Sequence, residues 1–195
     1  MSSVARLLTA AIVLLTPHAA VAHPPVFGIG GFPGGLLHPL FVLPHVMSII
    51  ALGLLIGRQA RPALSILAFV GGLAAGCIAI AMAYGSIHST LYVLAFAVVI
   101  GLLIALARPL PLLVCAALSA VTGFAITFDS PPDAITINEA ILMQLGTFLA
   151  ASLYLAAIIA IASLLDRDWQ RIGMRIVGSW FAASAILVLA VRLAR

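Results

Sequence analysis

Residues 36–57 read LLHPLFVLPHVMSIIALGLLIG, a stretch with no Asp, Glu, Lys or Arg. A helix rises about 1.5 Å per residue, so about 20 such residues cross the roughly 30 Å hydrocarbon core of a bilayer. Five more apolar runs follow at about residues 64–83, 91–107, 110–127, 140–165 and 172–193. Over the whole chain 65% of residues are hydrophobic and 7% are charged. No water-soluble fold of 195 residues hides that much apolar surface, so the solvent is lipid. In lipid the backbone must satisfy its own polar groups, and uninterrupted runs of this length do so as helices. The expected fold is all-α: a polytopic membrane protein whose six transmembrane helices form one domain over residues 23–195.

The first 22 residues are of another kind. MSSVAR is a short basic n-region, Leu7 to Thr16 is apolar, and Pro17 precedes the small-residue triplet Ala20-Val21-Ala22. A ten-residue helix reaches only about 15 Å, half of a bilayer core, so residues 1–22 read as a cleavable signal peptide whose removal frees His23. An uncleaved seventh helix is the alternative. From His23 to Gly35 the chain is rich in Pro and Gly and has no helical period. It reads as an irregular flap lying over the outer mouth of the bundle.

The nine basic residues are all Arg, against five acids. Arg58 and Arg61 follow the first run, Arg108 the third, and Arg167, Arg171 and Arg175 the fifth, whereas the loop from Phe128 to Glu139 carries Asp129, Asp133 and Glu139. The positive-inside rule places the Arg-bearing loops in the cytoplasm and both mature termini outside a bacterial inner membrane. Arg192 and Arg195 dissent and are outvoted by the internal loops. Arginines scattered in this way mark topology and do not track phosphates, which excludes nucleic acid as a partner. Cys77 and Cys115 sit inside apolar runs, where a thiol acts as a small hydrophobe. Gly71, Gly72 and Gly76 place small residues where a neighbouring helix can approach closely.

Ionisable groups at membrane depth are costly, and here they are few. His38 and His45 stand in HPLFVLPH; seven helical residues turn almost two full turns, so on one continuous helix both imidazoles face the same way about 10.5 Å apart. Pro39 suits a first helical turn, and Pro44 is expected to kink or unwind the helix. Opened carbonyls beside two imidazoles suit a cation such as nickel, cobalt, copper or zinc. Equally, His45 reads as a packed, hydrogen-bonded residue and His38 as an interfacial cap. His23 and, more weakly, His88 are further candidate ligands on the same outer side, and the acidic loop is either an electrostatic lure or simply solvated. Gln144 and Tyr154 read as path-lining groups or as cross-helix hydrogen bonders. No nucleophile arrangement, HExxH, phosphate loop or paired intramembrane acids appear, so an enzyme is not expected.

The string GFPGGLLHPLFVLPHVMSIIALGLLIGRQ after an AxA site resembles the first span of the HupE/UreJ family of hydrogenase and urease accessory membrane proteins. The likeness runs through Gly31, Phe32, Gly35, His38, Pro39, His45 and Gly53, and more weakly through RIGMRIVGSWFAASAIL near the C-terminus. Pro44 stands where the family keeps an Asp, and ALSAVTGFAITF replaces its His-rich fourth span. The resemblance implies a permease for nickel or cobalt that supplies metalloenzyme maturation, with His38 and His45 binding the ion and no permanently bound cofactor. A non-transporting membrane accessory protein with a degenerate metal site is the alternative. The implied partners are the bilayer, the metal ion and metalloenzyme maturation proteins.

Overall fold

The computed structural model describes residues 29–82, 89–107, 110–132, 134 and 136–194. Among them the chain forms seven helices and no strand: α1 (Gly31–Phe41), α2 (Leu43–Ile56), α3 (Ala63–Ala81), α4 (Ser89–Leu106), α5 (Leu112–Phe128), α6 (Ile137–Ser163) and α7 (Asp168–Leu193). The signal-peptide reading of residues 1–22 falls outside the described residues. By length and composition α3, α6 and α7 are candidates to cross a membrane, and α1 with α2 is a fourth if the pair is one bent span. α4 and α5 are apolar but shorter, with 18 and 17 residues.

The first apolar run is not one helix. Val42 takes an extended conformation (φ −94°, ψ 101°) that ends α1 and opens α2, and the axes of the two helices bend by 71°. The expected interruption of this run is therefore a full break, two residues before Pro44, and Pro44 itself occupies the first turn of α2, where a missing N–H costs nothing because that donor has no intrahelical acceptor. Pro39, expected at a helix start, lies inside α1 instead. Without an N–H it leaves the Gly35 carbonyl unbonded within its own helix, and the Thr147 hydroxyl of α6 donates to that carbonyl at 3.2 Å. Residues 31–35, expected to be irregular, form the first turns of α1. Glycine and proline argue against a helix only through local preference, and packing onto α6 overrides it: Gly34 and Gly35 are buried.

Contacts fix the direction of each helix. The α1–α2 pair runs alongside α6 in the same sense, with Gly30 beside Glu139, Gly35 beside Met143, Gly53 beside Ile158 and Gly57 beside Ala162. α4 runs parallel to α2, the Ser48 hydroxyl donating to the Val93 carbonyl at 3.3 Å. α7 runs antiparallel to α4, with Gly101 against Gly178 and Arg175 Nε donating to the Ala105 carbonyl at 3.0 Å. α3 and α5 are parallel to each other, joined by Thr127 Oγ1 donating to the Leu73 carbonyl at 3.0 Å. Successive elements thus alternate in direction, counting α1–α2 as one. The N-terminal ends of α2, α4 and α6 gather at one end of the bundle, and their C-terminal ends gather with the arginine loops at the other.

α2 is the central helix. Leu52 and Ile56 are fully buried in one core cluster that also holds Phe69 and Leu73 of α3, Ile100 of α4, Ile126 of α5 and Leu155 of α6. The outer faces are apolar as well, with Leu67, Leu113, Leu153, Trp180 and Leu187 exposed, as expected of a surface that meets lipid. Lipid supplies little hydrophobic force between helices, so close backbone approach at small residues holds them together. A side chain at Gly72 would collide with the Ala120 carbonyl, one at Gly76 with Thr127, and one at Gly123 with the Phe69 carbonyl, so α3 and α5 are in backbone contact. Gly71 takes no part in that contact, since a Cβ there meets nothing within 4 Å. Gly35 with Gly146, and Gly101 with Gly178, form equivalent close crossings on other helix pairs.

Candidate functional site

The break at Val42 changes what His38 and His45 can do together. On one straight helix they would stand two turns apart; the bend instead brings their ring centroids to 5.4 Å, with the planes tilted by 51°. Metal–nitrogen bonds of about 2 Å put two imidazoles on one tetrahedral ion with centroids about 5 Å apart. The observed separation matches that spacing, and it also lies within the ordinary range for packed rings. His38 sits half-buried near the end of α1, and His45 is completely buried in the first turn of α2.

A carboxylate completes the cluster. Asp129, the C-cap of α5, is 1% exposed, and its Oδ2 lies 3.0 Å from His45 Nε2. Its other oxygen, Oδ1, accepts a hydrogen bond of 2.8 Å from the Thr90 hydroxyl at the start of α4. A carboxylate can only accept here, so the His45 proton resides on Nε2. Nδ1 then carries the ring's lone pair, and it is buried with no hydrogen-bond partner among the described residues. A carboxylate behind an imidazole fixes its tautomer and ring orientation, one of the arrangements found behind metal-binding histidines.

Sequence reasoning placed Asp129 in an outward acidic loop, either an electrostatic lure for cations or simply solvated. It is instead the buried partner of a residue 84 positions away, and Thr90 was not singled out at all. The available signal was position: Asp129 directly follows the apolar run of α5, so one more helical turn keeps it inside the bundle. Glu139 lies in the first turn of α6 beside Gly30, its backbone N–H donating to the Thr136 hydroxyl at 3.2 Å. His23, His88 and Asp133 lie outside the described residues. Gln144 and Tyr154 bond across helices, Gln144 Nε2 to Cys77 Sγ at 3.5 Å and the Tyr154 hydroxyl to the Leu36 carbonyl at 3.0 Å.

His45, Asp129 and Thr90 come from three different helices, yet all lie at the end of the bundle away from the arginine loops. Among the described residues no group of three His, Cys, Asp or Glu side chains is close enough to hold a metal ion. The described cluster is therefore a pair of imidazoles with one buried acid behind the deeper ring. A family profile described as HupE / UreJ protein matches residues 11–188 of the chain. No curated protein and no solved structure matches it.

Proposed function

Because the chain belongs to the HupE/UreJ family, we propose that it is a six-pass inner-membrane permease carrying nickel or cobalt ions toward metalloenzyme maturation. The alternating helix directions support six crossings, with α1–α2 as one broken span; removal of the signal peptide ahead of it belongs to the proposal. The grouping of Arg58, Arg171 and Arg175 at one end supports a cytoplasmic placement of that end and an external placement of the His45 end.

The observation that carries the reading is the buried contact between His45 and Asp129. A divalent ion entering a low-dielectric bundle needs opposing charge, and two neutral imidazoles supply none. Pro44 stands where the family keeps an acid, and Asp129 provides one from a different helix. His38 and His45 meet the partly hydrated ion, Asp129 offsets its charge and holds the His45 tautomer, and Thr90 holds Asp129. Broken helices that expose backbone beside such groups are a recurrent means of building an ion site at membrane depth.

A second reading, a membrane accessory protein that does not transport, is favoured by one observation: the described residues provide no three-ligand group. Uptake of radioactive nickel and cobalt by cells expressing the wild type, His38→Ala or His45→Ala separates the two. The permease reading expects uptake above an empty-vector control and its loss in both variants. Uptake equal to the control in the wild type leaves the accessory reading.

A further inference from the structure

At the end of the bundle opposite His45, a cavity of about 290 Å³ opens between α2, α4 and α7. Its floor is apolar, built from residues such as Leu55, Ile104 and Met174, and its rim carries Arg58, Arg171 and Arg175 with no acidic side chain in the lining. Two of the three guanidinium groups are tethered. Arg58 Nη1 donates to the Leu165 carbonyl at 3.0 Å and to Asp166 Oδ1 at 3.2 Å, and Arg175 Nε donates to the Ala105 carbonyl at 3.0 Å. A guanidinium has five N–H donors in a rigid fork, so each tether fixes an orientation and leaves donors over. Asp166 offsets the charge of Arg58, while among the described residues no carboxylate pairs with Arg171 or Arg175.

Unpaired forks around a cavity select a phosphate, whose geometry they match in bidentate fashion. The floor selects the rest of the ligand. A volume near 300 Å³ exceeds what one inorganic phosphate fills, and apolar walls give that ion nothing. Leu102, Leu106, Ile172 and Ile176, each one position from a lining residue, are exposed apolar side chains, so the helix ends that border the cavity also present apolar surface outward.

From this geometry we infer that the cavity seats the headgroup phosphate of an anionic phospholipid. Arg171 and Arg175 grip the phosphate, and the upper acyl chain lies against Met174 and Ile104. The bound lipid joins α2, α4 and α7 at the end where Arg58 also ties the α2–α3 connection to the α6–α7 connection. None of this depends on the ion pathway, since no residue is shared with the histidine cluster.

The test uses purified full-length protein in detergent, with phosphatidylglycerol, phosphatidylcholine or inorganic phosphate added, read by native mass spectrometry and thermal unfolding. Phosphatidylglycerol is expected to stay bound and to raise the unfolding temperature above that with phosphatidylcholine, and inorganic phosphate to leave it unchanged. Arg171→Gln is expected to weaken phosphatidylglycerol binding about five- to tenfold. Arg171→Lys, which keeps the charge and the positive-inside balance but loses the fork, is expected to fall between. Arg167→Gln, outside the cavity lining, should bind as the wild type. Equal binding of the two phospholipids, equal binding by wild type and both Arg171 variants, or protection by inorganic phosphate alone would overturn the inference.

Discussion

Replacing Asp129 tests the candidate site and the fold together. Asp129→Ala removes an acceptor of one buried and one partly buried hydrogen bond, leaving His45 Nε2 and the Thr90 hydroxyl without it. Leaving a buried donor without its acceptor costs about 1–3 kcal/mol in soluble proteins. Polar pairs between membrane helices average nearer 0.6 kcal/mol, because the unfolded chain in lipid finds other partners. The Asp129 carboxylate is 1% exposed and serves donors on two helices, which puts it toward the upper figure. The expected loss is about 3 kcal/mol, or about 6–12 °C in unfolding temperature for a chain of this size.

Asp129→Asn separates stability from chemistry. Its amide oxygen still accepts from Thr90, and its NH₂ reaches His45 Nε2 only if that nitrogen is the acceptor, which moves the imidazole proton to Nδ1. The variant should therefore lose only about 1 kcal/mol while withdrawing the Nδ1 lone pair. Thermal unfolding of purified protein in detergent measures the first effect, and imidazole ¹⁵N shifts of His45 measure the second. An Asp129→Ala protein that unfolds within a degree or two of the wild type, or an Asp129→Asn protein whose tautomer is unchanged, would refute this reasoning.

Three further outcomes follow from the packing. Gly72→Val places a side chain against the Ala120 carbonyl and should abolish a folded, monodisperse product, whereas Gly71→Val, in open space, should purify and unfold as the wild type does. Thr147→Val leaves the Gly35 carbonyl unbonded and should cost about 1 kcal/mol; Pro39→Ala, which restores an N–H able to reach that carbonyl, should shrink the penalty in a double-mutant cycle. Ser48→Ala, at the α2–α4 contact, should cost about 0.5 kcal/mol in thermal unfolding and leave uptake unchanged, since among the described residues the hydroxyl serves the Val93 carbonyl alone.

The helical, lipid-facing character of the chain was legible because it follows from composition and run length, which no tertiary contact can reverse. Boundaries were less so. α6 begins at Ile137 and not near Ala140 because the Thr136 hydroxyl caps the Glu139 N–H, a Thr-x-x-Glu signal present in the sequence and left unread. α1 was hidden because its Gly- and Pro-rich turns are helical only through burial against α6 and the Thr147 bond to the carbonyl that Pro39 frees. His38 and His45 were found from their types and their place in the string. Their closeness was misjudged: Pro44 signalled an interruption, but neither its exact place at Val42 nor its 71° angle is written in the spacing of the two residues. The burial of Asp129 was within reach from its place at the end of an apolar run, but its pairing with His45 and Thr90 was not, because spacing along one chain says nothing about which helix ends meet. The glycine stripe of α3 was half legible, since Gly72 and Gly76 face α5 and Gly71 does not.

The most direct measurement is nickel and cobalt flux into proteoliposomes containing the purified protein, compared with protein-free vesicles and with His45→Ala and Asp129→Asn proteins of verified fold. Metal entry above the protein-free rate, lost in both variants, is the predicted result. Entry no faster than into protein-free vesicles, or entry that survives both substitutions, would contradict a permease built on the His45–Asp129 pair.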